Sequence, residues 1–339
     1  MTAPEMRILY DSRWVSQNGI GRFASALLSA LSARFDVTNV SAKSRPTGIF
    51  DPFIVGRQFH AGRFDLFVSP GFNGSFLIER DQIFVIHDLI HVDPRGPLIR
   101  RALNTVYYDG FYRSAASKAR AVVTVSQASA EQIRRRWPEV AGRLHVIPGG
   151  VSPDFTAPAV ETGREGLVLF TNERWHKNLP RVLAALRTAR FTGTLYLVGQ
   201  TSEKTKDSIL AALPDARIVW AGRPSDLELS QIYRRAQALL FCSITEGFGL
   251  PVREALACGC LVVCSAIPPH FEVGGPGCIY VDPFSETSMA DGVREALATA
   301  PIGAEAARAY QDRAWSDVAS DFVALIEGLG AGRVPPPAP

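Results

Sequence analysis

The pattern that most constrains this chain is an alternation that runs twice. Short apolar runs of strand length alternate with segments whose apolar residues fall every three or four positions. In the first series, residues 7–10 form a strand-like run, and Ile20, Phe23, Ala24, Leu27, Leu28 and Leu31 then follow at helical spacing. Further apolar runs cover 64–69, 82–86, 121–125 and 144–147. Residues 153–165 are rich in Pro, Thr, Gly and Glu and lack apolar periodicity, so they read as a linker. The alternation then restarts. Strands are expected at 167–170, 195–198, 217–220, 238–242 and 261–265, with helices at 179–188, 204–213, 226–236 and 251–258. Strand and helix in turn imply parallel sheets covered on both faces. The fold expected is α/β, with two Rossmann-like, doubly wound domains facing across a cleft.

The expected divisions are 1–152, 165–305, a helical segment 306–330 and a Pro-rich disordered tail 331–339. A chain of 339 residues fits two domains. With 47% hydrophobic and 20% charged residues, a mostly disordered or coiled-coil chain is excluded. No run of about 18 uncharged apolar residues suggests a membrane span. Residues 1–12 lack the features of a secretory signal, and five cysteines with no zinc-like spacing read as reduced packing residues. A cytoplasmic protein without a metal is the expectation. Charge divides unevenly, with 19 Lys/Arg against 12 Asp/Glu in residues 1–150, and 17 against 21 beyond. The basic excess is densest at 95–120, where aromatic residues interleave with Arg100, Arg101 and their neighbours. Such a segment suits an anionic membrane surface or, equally, a solvated helix face. No nucleic-acid-binding motif accompanies it.

In open parallel sheets ligands sit beyond the carboxyl ends of the strands, so site residues are sought in strand-end loops. The strongest candidate is Glu246-Gly-Phe-Gly-Leu-Pro-Val-Arg-Glu254, which follows a strand and opens a helix. Gly247 and Gly249 permit close backbone approach, and amides at the helix start can bind an anion such as a diphosphate. Glu246 and Glu254 can hold different hydroxyls of one elongated ligand. The same spacing also suits a loop glutamate and a solvated helix glutamate.

The two glutamates, with GFGLP between them and EALACGCLVVCS after, resemble the E-x7-E signature of the retaining glycosyltransferases of family 4. Those enzymes have the two-domain architecture called GT-B. Asn18-Gly-Ile-Gly-Arg22 resembles the family's N-terminal glycine loop, and Val85-Ile-His-Asp-Leu89 its His-bearing strand end. Residues 123–126, 146–151 and 171–178 resemble later signposts, and the stretch from Trp315 resembles the helix that crosses back to the first domain. The resemblance implies that Glu246 contacts donor-sugar hydroxyls and Glu254 the ribose. It places the amides of Phe248, Gly249 and Leu250 toward the diphosphate or sugar. Lys177 would neutralise the leaving diphosphate. Gly19 and Gly21 would close over the phosphates, and His87 would face donor and acceptor.

One departure stands out. The family's second basic residue is replaced by Thr171, which makes Arg174 the candidate to supply the charge, with His176 behind it. Arg22 and His91 are assigned to the acceptor side, with solvent-facing or structural roles as the alternatives. His87 can instead be a strand-end histidine bonded to a loop. Asp88 can orient it or cap a turn, and Ser126 reads as a helix N-cap.

The implied reaction moves a hexose from a nucleotide sugar to a glycan acceptor without a cofactor. The motif combination resembles bacterial mannosyl- and rhamnosyltransferases of polysaccharide assembly, which makes GDP-mannose the first donor and a UDP-hexose the second. A polyprenyl-diphosphate-linked acceptor and peripheral attachment at the cytoplasmic membrane are expected with it. A nucleotide-sugar epimerase and a non-catalytic sugar-nucleotide binder remain alternatives. An NAD-dependent oxidoreductase is disfavoured because Gly19 and Gly21 lack the third glycine of its fingerprint.

Overall fold

The computed structural model describes residues 6–16, 19–46, 48–93, 105, 107–159 and 163–330. These residues form two compact units, one made of residues up to 150 together with those from 315 onward, the other of 151–314.

In the first unit the strands are β1 (Arg7–Tyr10), β2 (Asp36–Asn39), β3 (Leu66–Ser69), β4 (Gln82–Ile86), β5 (Ala121–Thr124) and β6 (Leu144–Val146). They form one six-stranded parallel sheet in the order β2-β1-β3-β4-β5-β6. The helices are α1 (Gly19–Ser32), α2 (Asp51–Gly62), α3 (Arg113–Lys118) and α4 (Gln127–Arg136). Every residue of β3, β4 and β5 is buried, as expected of strands covered on both faces. The C-terminal helix Trp315–Gly330 belongs to this unit and packs on α1. Phe23 of α1 meets Trp315 and Phe322 edge-on, with ring centroids 6.4 and 6.3 Å apart. Ser126 caps α4 by accepting the Ser129 N–H.

A charged network is buried where β1 and β3 end. Arg13 lies between two carboxylates, with contacts of 2.6 Å to Asp11 and 2.6 Å to Asp51. The Asn73 amide donates to both, at 2.6 and 3.0 Å. Its carbonyl oxygen accepts from Trp14 Nε1 and Ser69 Oγ, each at 2.6 Å. Asp11, Asp51, Ser69 and Asn73 are all buried, so the network fixes the loops after β1 and β3 against one another. Burial pushes the Asp51 carboxyl above its ordinary range, against the opposing pull of Arg13 and Asn73.

The second unit repeats the plan with β7 (Leu167–Phe170), β8 (Thr194–Val198), β9 (Arg217–Gly222), β10 (Ala238–Phe241), β11 (Leu261–Ser265) and β12 (Cys278–Val281). The sheet is again parallel, in the order β12-β11-β10-β7-β8-β9. Its helices are α5 (Leu179–Thr188), α6 (Glu203–Ala212), α7 (Asp226–Arg235), α8 (Leu250–Ala257), α9 (Pro268–Val273) and α10 (Glu286–Ala298). The period of two along each strand divides the core into two layers. Leu167, Leu169, Ala238, Leu240, Leu261 and Val263 pack on one face, while Val168, Leu239, Phe241, Val262 and Cys264 pack on the other. All five cysteines are free thiols, and four of them are buried in these layers.

The stretch read as a linker is built into the second unit over its described part. Phe155 is fully buried beside Tyr233, and Arg234 donates to the carbonyls of Thr156 and Asp154 at 2.7 and 2.9 Å. Val151 donates to the Arg313 carbonyl at 2.9 Å and bridges Ala314 in parallel. The chain therefore enters and leaves this unit at neighbouring points. The expected disordered tail, 331–339, lies outside the described residues.

Removing Arg13 would leave Asp11 and Asp51 as buried carboxylates without their shared cation. Arg13→Met is expected to cost about 3–5 kcal/mol, measured by chemical denaturation. A loss below about 1 kcal/mol would show that the network does not carry the loop arrangement.

Candidate functional site

Strand order sets the site. In a doubly wound sheet the connections diverge at the switch point, opening a crevice beyond the carboxyl ends of two adjacent strands. In the second unit that point lies between β7 and β10, which pair Leu167 with Ala238 and Leu169 with Leu240. The loop after β7 carries residues 171–178 and the loop after β10 carries 242–249. Ile244 joins them by donating to the His176 carbonyl at 2.7 Å. Asn178, in the left-handed region at φ 60°, donates its amide to the carbonyls of Cys242 and Pro283 at 3.2 and 2.7 Å.

Those bonds set Lys177 against Glu246. Lys177 Nζ lies 2.7 Å from Glu246 Oε1, and each side chain is only 12% exposed. The ammonium also lies 4.5 Å from the centroid of the Phe241 ring. Burial alone would raise the Glu246 carboxyl. Lys177, with a hydrogen bond from Ser243 and the proximity of His176, outweighs it and holds the group below the usual carboxylate range. Glu246 is therefore held as an anion against the Lys177 side chain.

Gly249 begins α8 at φ 93°, and the Val252 N–H donates back to its carbonyl at 2.9 Å. A Cβ at this position would also lie 3.1 Å from His270 and 3.2 Å from Val273, so glycine is required twice over. Gly247 is buried, while Phe248 and Leu250 are half-buried. Glu254 is buried within α8 rather than solvated. The second unit thus gathers Lys177, Glu246, residues 247–250 and Glu254 at one end of its sheet. An anion at the helix start and polyhydroxyl groups beside the carboxylates are what such an assembly can hold.

The phosphate-side candidates divide. Thr171 is buried and paired with Thr201 through their hydroxyls at 2.7 Å, so it ties the end of β7. Arg174 is exposed in the turn before Trp175–Lys177, while His176 is buried. His270 went unnoticed in the sequence. It is fully buried, and its Nδ1 lies 2.9 Å from the Ser265 carbonyl, so that nitrogen carries the proton. Among the described residues its Nε2 has no hydrogen-bond partner, and it lies beside Gly249. The strand-end rule applied to β11 would have pointed to it.

The first unit holds the remaining candidates. Gly19 and Gly21 fall in the first turn of α1, not in a loop, as the resemblance implied. A Cβ on Gly21 would meet the Ser16 carbonyl oxygen at 2.1 Å, so its absence lets the preceding turn close on the helix. Arg22 is half-buried on α1. His87 donates from Nε2 to the Pro70 carbonyl at 2.8 Å, with the rings of Phe23 and Phe72 5.5 and 5.7 Å away. Burial pushes its pKa down to about 4, which keeps the ring neutral near pH 7. Asp88 accepts the Ile90 N–H across the next turn at 2.9 Å. His91 is exposed and stacks on Tyr108 with centroids 5.8 Å apart. Arg100 and Arg101 lie outside the described residues.

Comparison with known proteins agrees with this architecture. Residues 159–314 match the family described as Glycosyl transferases group 1, and residues 36–155 match Glycosyltransferase Family 4. The O-antigen chain mannosyltransferase RfbU of Salmonella typhimurium is 25% identical over 63% of this chain and 60% of its own length. The GDP-mannose:cellobiosyl-diphosphopolyprenol alpha-mannosyltransferase of Komagataeibacter xylinus is 30% identical over 64% of this chain and 58% of its own. The chain thus spans about three fifths of the length of these relatives. The glycosyltransferase WaaG shares the fold at a TM-score of 0.74 and 18% identity, over 95% of this chain and 99% of that one. Anabaena HepE, solved with UDP-glucose, does so at 0.69 and 16%, over 95% and 100%. With a glycosyltransferase family match in each half and two Rossmann-like sheets beneath them, the chain belongs to the family 4-type glycosyltransferases.

Proposed function

We propose that the chain transfers mannose from GDP-mannose, with retention of configuration, to a glycan carried on polyprenyl diphosphate during polysaccharide assembly. The observation that carries the reading is the buried Lys177–Glu246 pair at the switch point beside the start of α8. Both relatives are mannosyltransferases, and the Komagataeibacter enzyme, named for GDP-mannose and a diphosphopolyprenol-borne acceptor, favours this donor and a lipid-linked acceptor. The complexes of HepE with UDP and UDP-glucose make a UDP-hexose the second choice.

In this reading the bond between the anomeric carbon and the diphosphate oxygen breaks, and negative charge grows on the departing phosphate. Lys177 meets that charge, with Arg174 as a second cation, so no metal or cofactor is called for. The amides of Phe248, Gly249 and Leu250 face the diphosphate or sugar. Glu246 accepts from sugar hydroxyls and Glu254 from the ribose. The acceptor hydroxyl attacks on the face that the phosphate leaves, and its proton passes to the departing phosphate oxygen. No protein nucleophile is assigned. By the family resemblance, Gly19 and Gly21, in the first turn of α1, are assigned to the phosphates, His87 to donor and acceptor, and Arg22 and His91 to the acceptor. His87 acts as a neutral ring whose Nε2 is already committed to Pro70. Among the described residues no helix is long and apolar enough to cross a membrane. The reading includes peripheral attachment to the inner face of the cytoplasmic membrane through the basic stretch 95–120.

Three measurements test this reading. GDP-mannose at a hundred times its dissociation constant is expected to stabilise the chain by about 2.7 kcal/mol in a thermal-shift assay. A response to UDP compounds alone would replace the donor, and a response to NAD would overturn the reading. Lys177→Ala is expected to lower kcat by about 10²–10³. Glu254→Ala should raise the donor KM at least about tenfold. Unchanged kinetics in both would defeat the site.

The third measurement concerns pH. Below the ordinary histidine pKa of 6.5 an unfolded chain takes up a proton that folded His87 refuses until about pH 4. Its neutral form therefore contributes stability above pH 6.5 that is lost on acidification. The contribution lost between pH 7 and pH 5 is about 2 kcal/mol. His87→Asn should show a correspondingly shallower loss in chemical denaturation, and parallel profiles would mean that the ring is not held neutral.

A further inference from the structure

The first unit exposes large apolar side chains in one place. Phe50 is 72%, Ile49 62% and Phe53 47% exposed, and Ile54, Leu77 and Phe111 are exposed beside them. Ring contacts make the group continuous, with Phe53 to Phe76 at 4.9 Å and Phe76 to Phe111 at 5.6 Å. Leu77 joins the same helix, because His60 of α2 donates to its carbonyl at 2.9 Å. Phe50 and Ile54 are one helical turn apart, as are Phe53 and Arg57, so α2 presents apolar residues and a cation outward together.

Glu79 and Asp109, the carboxylates nearest Leu77 and Phe111 in sequence, are paired with Lys118 and Arg136, and the unpaired charge on the α2 side has one sign. Residues 41–60 contain Lys43, Arg45 and Arg57 and a single carboxylate, Asp51. Asp51 is buried and held by Arg13. The three cations are exposed, and none forms an ion pair among the described residues. A protein partner would be expected to bring carboxylates in a matching pattern. A bilayer with anionic headgroups offers both an apolar interior for phenylalanine and isoleucine and a diffuse negative surface for the cations around them.

We propose that Ile49, Phe50, Phe53 and Ile54 insert into an anionic bilayer, with Lys43, Arg45 and Arg57 on the headgroups. This gives the first unit a docking surface centred on α2, which meets the basic stretch 95–120 at Phe111. It rests on the membrane attachment proposed above, but not on the identity of the donor.

The test is flotation of the full chain with vesicles of phosphatidylcholine alone and of equal parts phosphatidylcholine and phosphatidylglycerol. The chain is expected to float with the mixed vesicles and to leave them as salt rises. Phe50→Ser with Phe53→Ser should weaken partitioning at least about tenfold. Lys43→Glu with Arg45→Glu should weaken it about fivefold or more per charge, on the mixed vesicles only. The charge variant keeps the test valid if the serine variant fails to fold. Absence of wild-type flotation, or flotation of both variants like wild type, overturns the proposal. So does a dimer in sedimentation velocity that the serine variant dissolves, because the surface would then join two copies of the chain. Transfer to a water-soluble acceptor, assayed without vesicles, separates the two ideas. If transfer persists while flotation fails, only the docking surface falls; if flotation persists without transfer, only the enzymatic reading does.

Discussion

The parallel pairing of β7 with β10 is the constraint on which the candidate site depends. These strands lie far apart in sequence, and β8 and β9 are laid down on the other side of β7 before the chain returns. The return brings two loops to the same edge of the crevice. Backbone bonds through Ile244 and Asn178 then tie them, and Lys177 and Glu246 have little freedom left. A buried ion pair is expensive to form and costly to break from one side. Here the sheet and loops are already in place to hold it, with an aromatic face beneath the ammonium.

The first unit meets its switch point differently. Where β1 and β3 diverge, polar side chains fill the crevice themselves. Asp11, Arg13, Asp51 and Asn73 satisfy one another and leave the loops fixed. The same topology thus yields a packed polar plug in one unit and an assembly of charged groups around a glycine-capped helix in the other. Asn73 extends the plug toward His87, because it lies in the loop whose Pro70 carbonyl accepts the hydrogen bond from the histidine's Nε2.

The buried strands and the glutamate loop were legible because both write themselves locally. Residues 83–86 and 167–170 are continuous apolar runs, and they make up β4 after its first residue and the whole of β7. Glycines flanked by glutamates mark a helix opening without any tertiary knowledge. Edge strand β2, Asp-Val-Thr-Asn, was missed because half-exposed edge residues need no apolar run. The segment after 152 misled for the opposite reason. Its composition is that of a loop, yet Phe155 fills a core position and Arg234 holds the backbone on either side of it. Nor does a sequence distinguish Phe50 and Phe53 from core phenylalanines; their exposure follows from which side of α2 meets the sheet. The Lys177–Glu246 contact depends on strand order, which no local pattern encodes.

The adjacency of Val151 and Ala314 makes the second unit an insertion within the first. During synthesis this gives the halves unequal starts. The inserted unit has all its strands and helices once residue 314 has emerged. The first unit, although begun earlier, still lacks the helix that covers Phe23 on α1. Its apolar face must therefore wait, uncovered, while a whole second unit is made and folds. The helix that covers α1 is thus made only after the whole of the second unit.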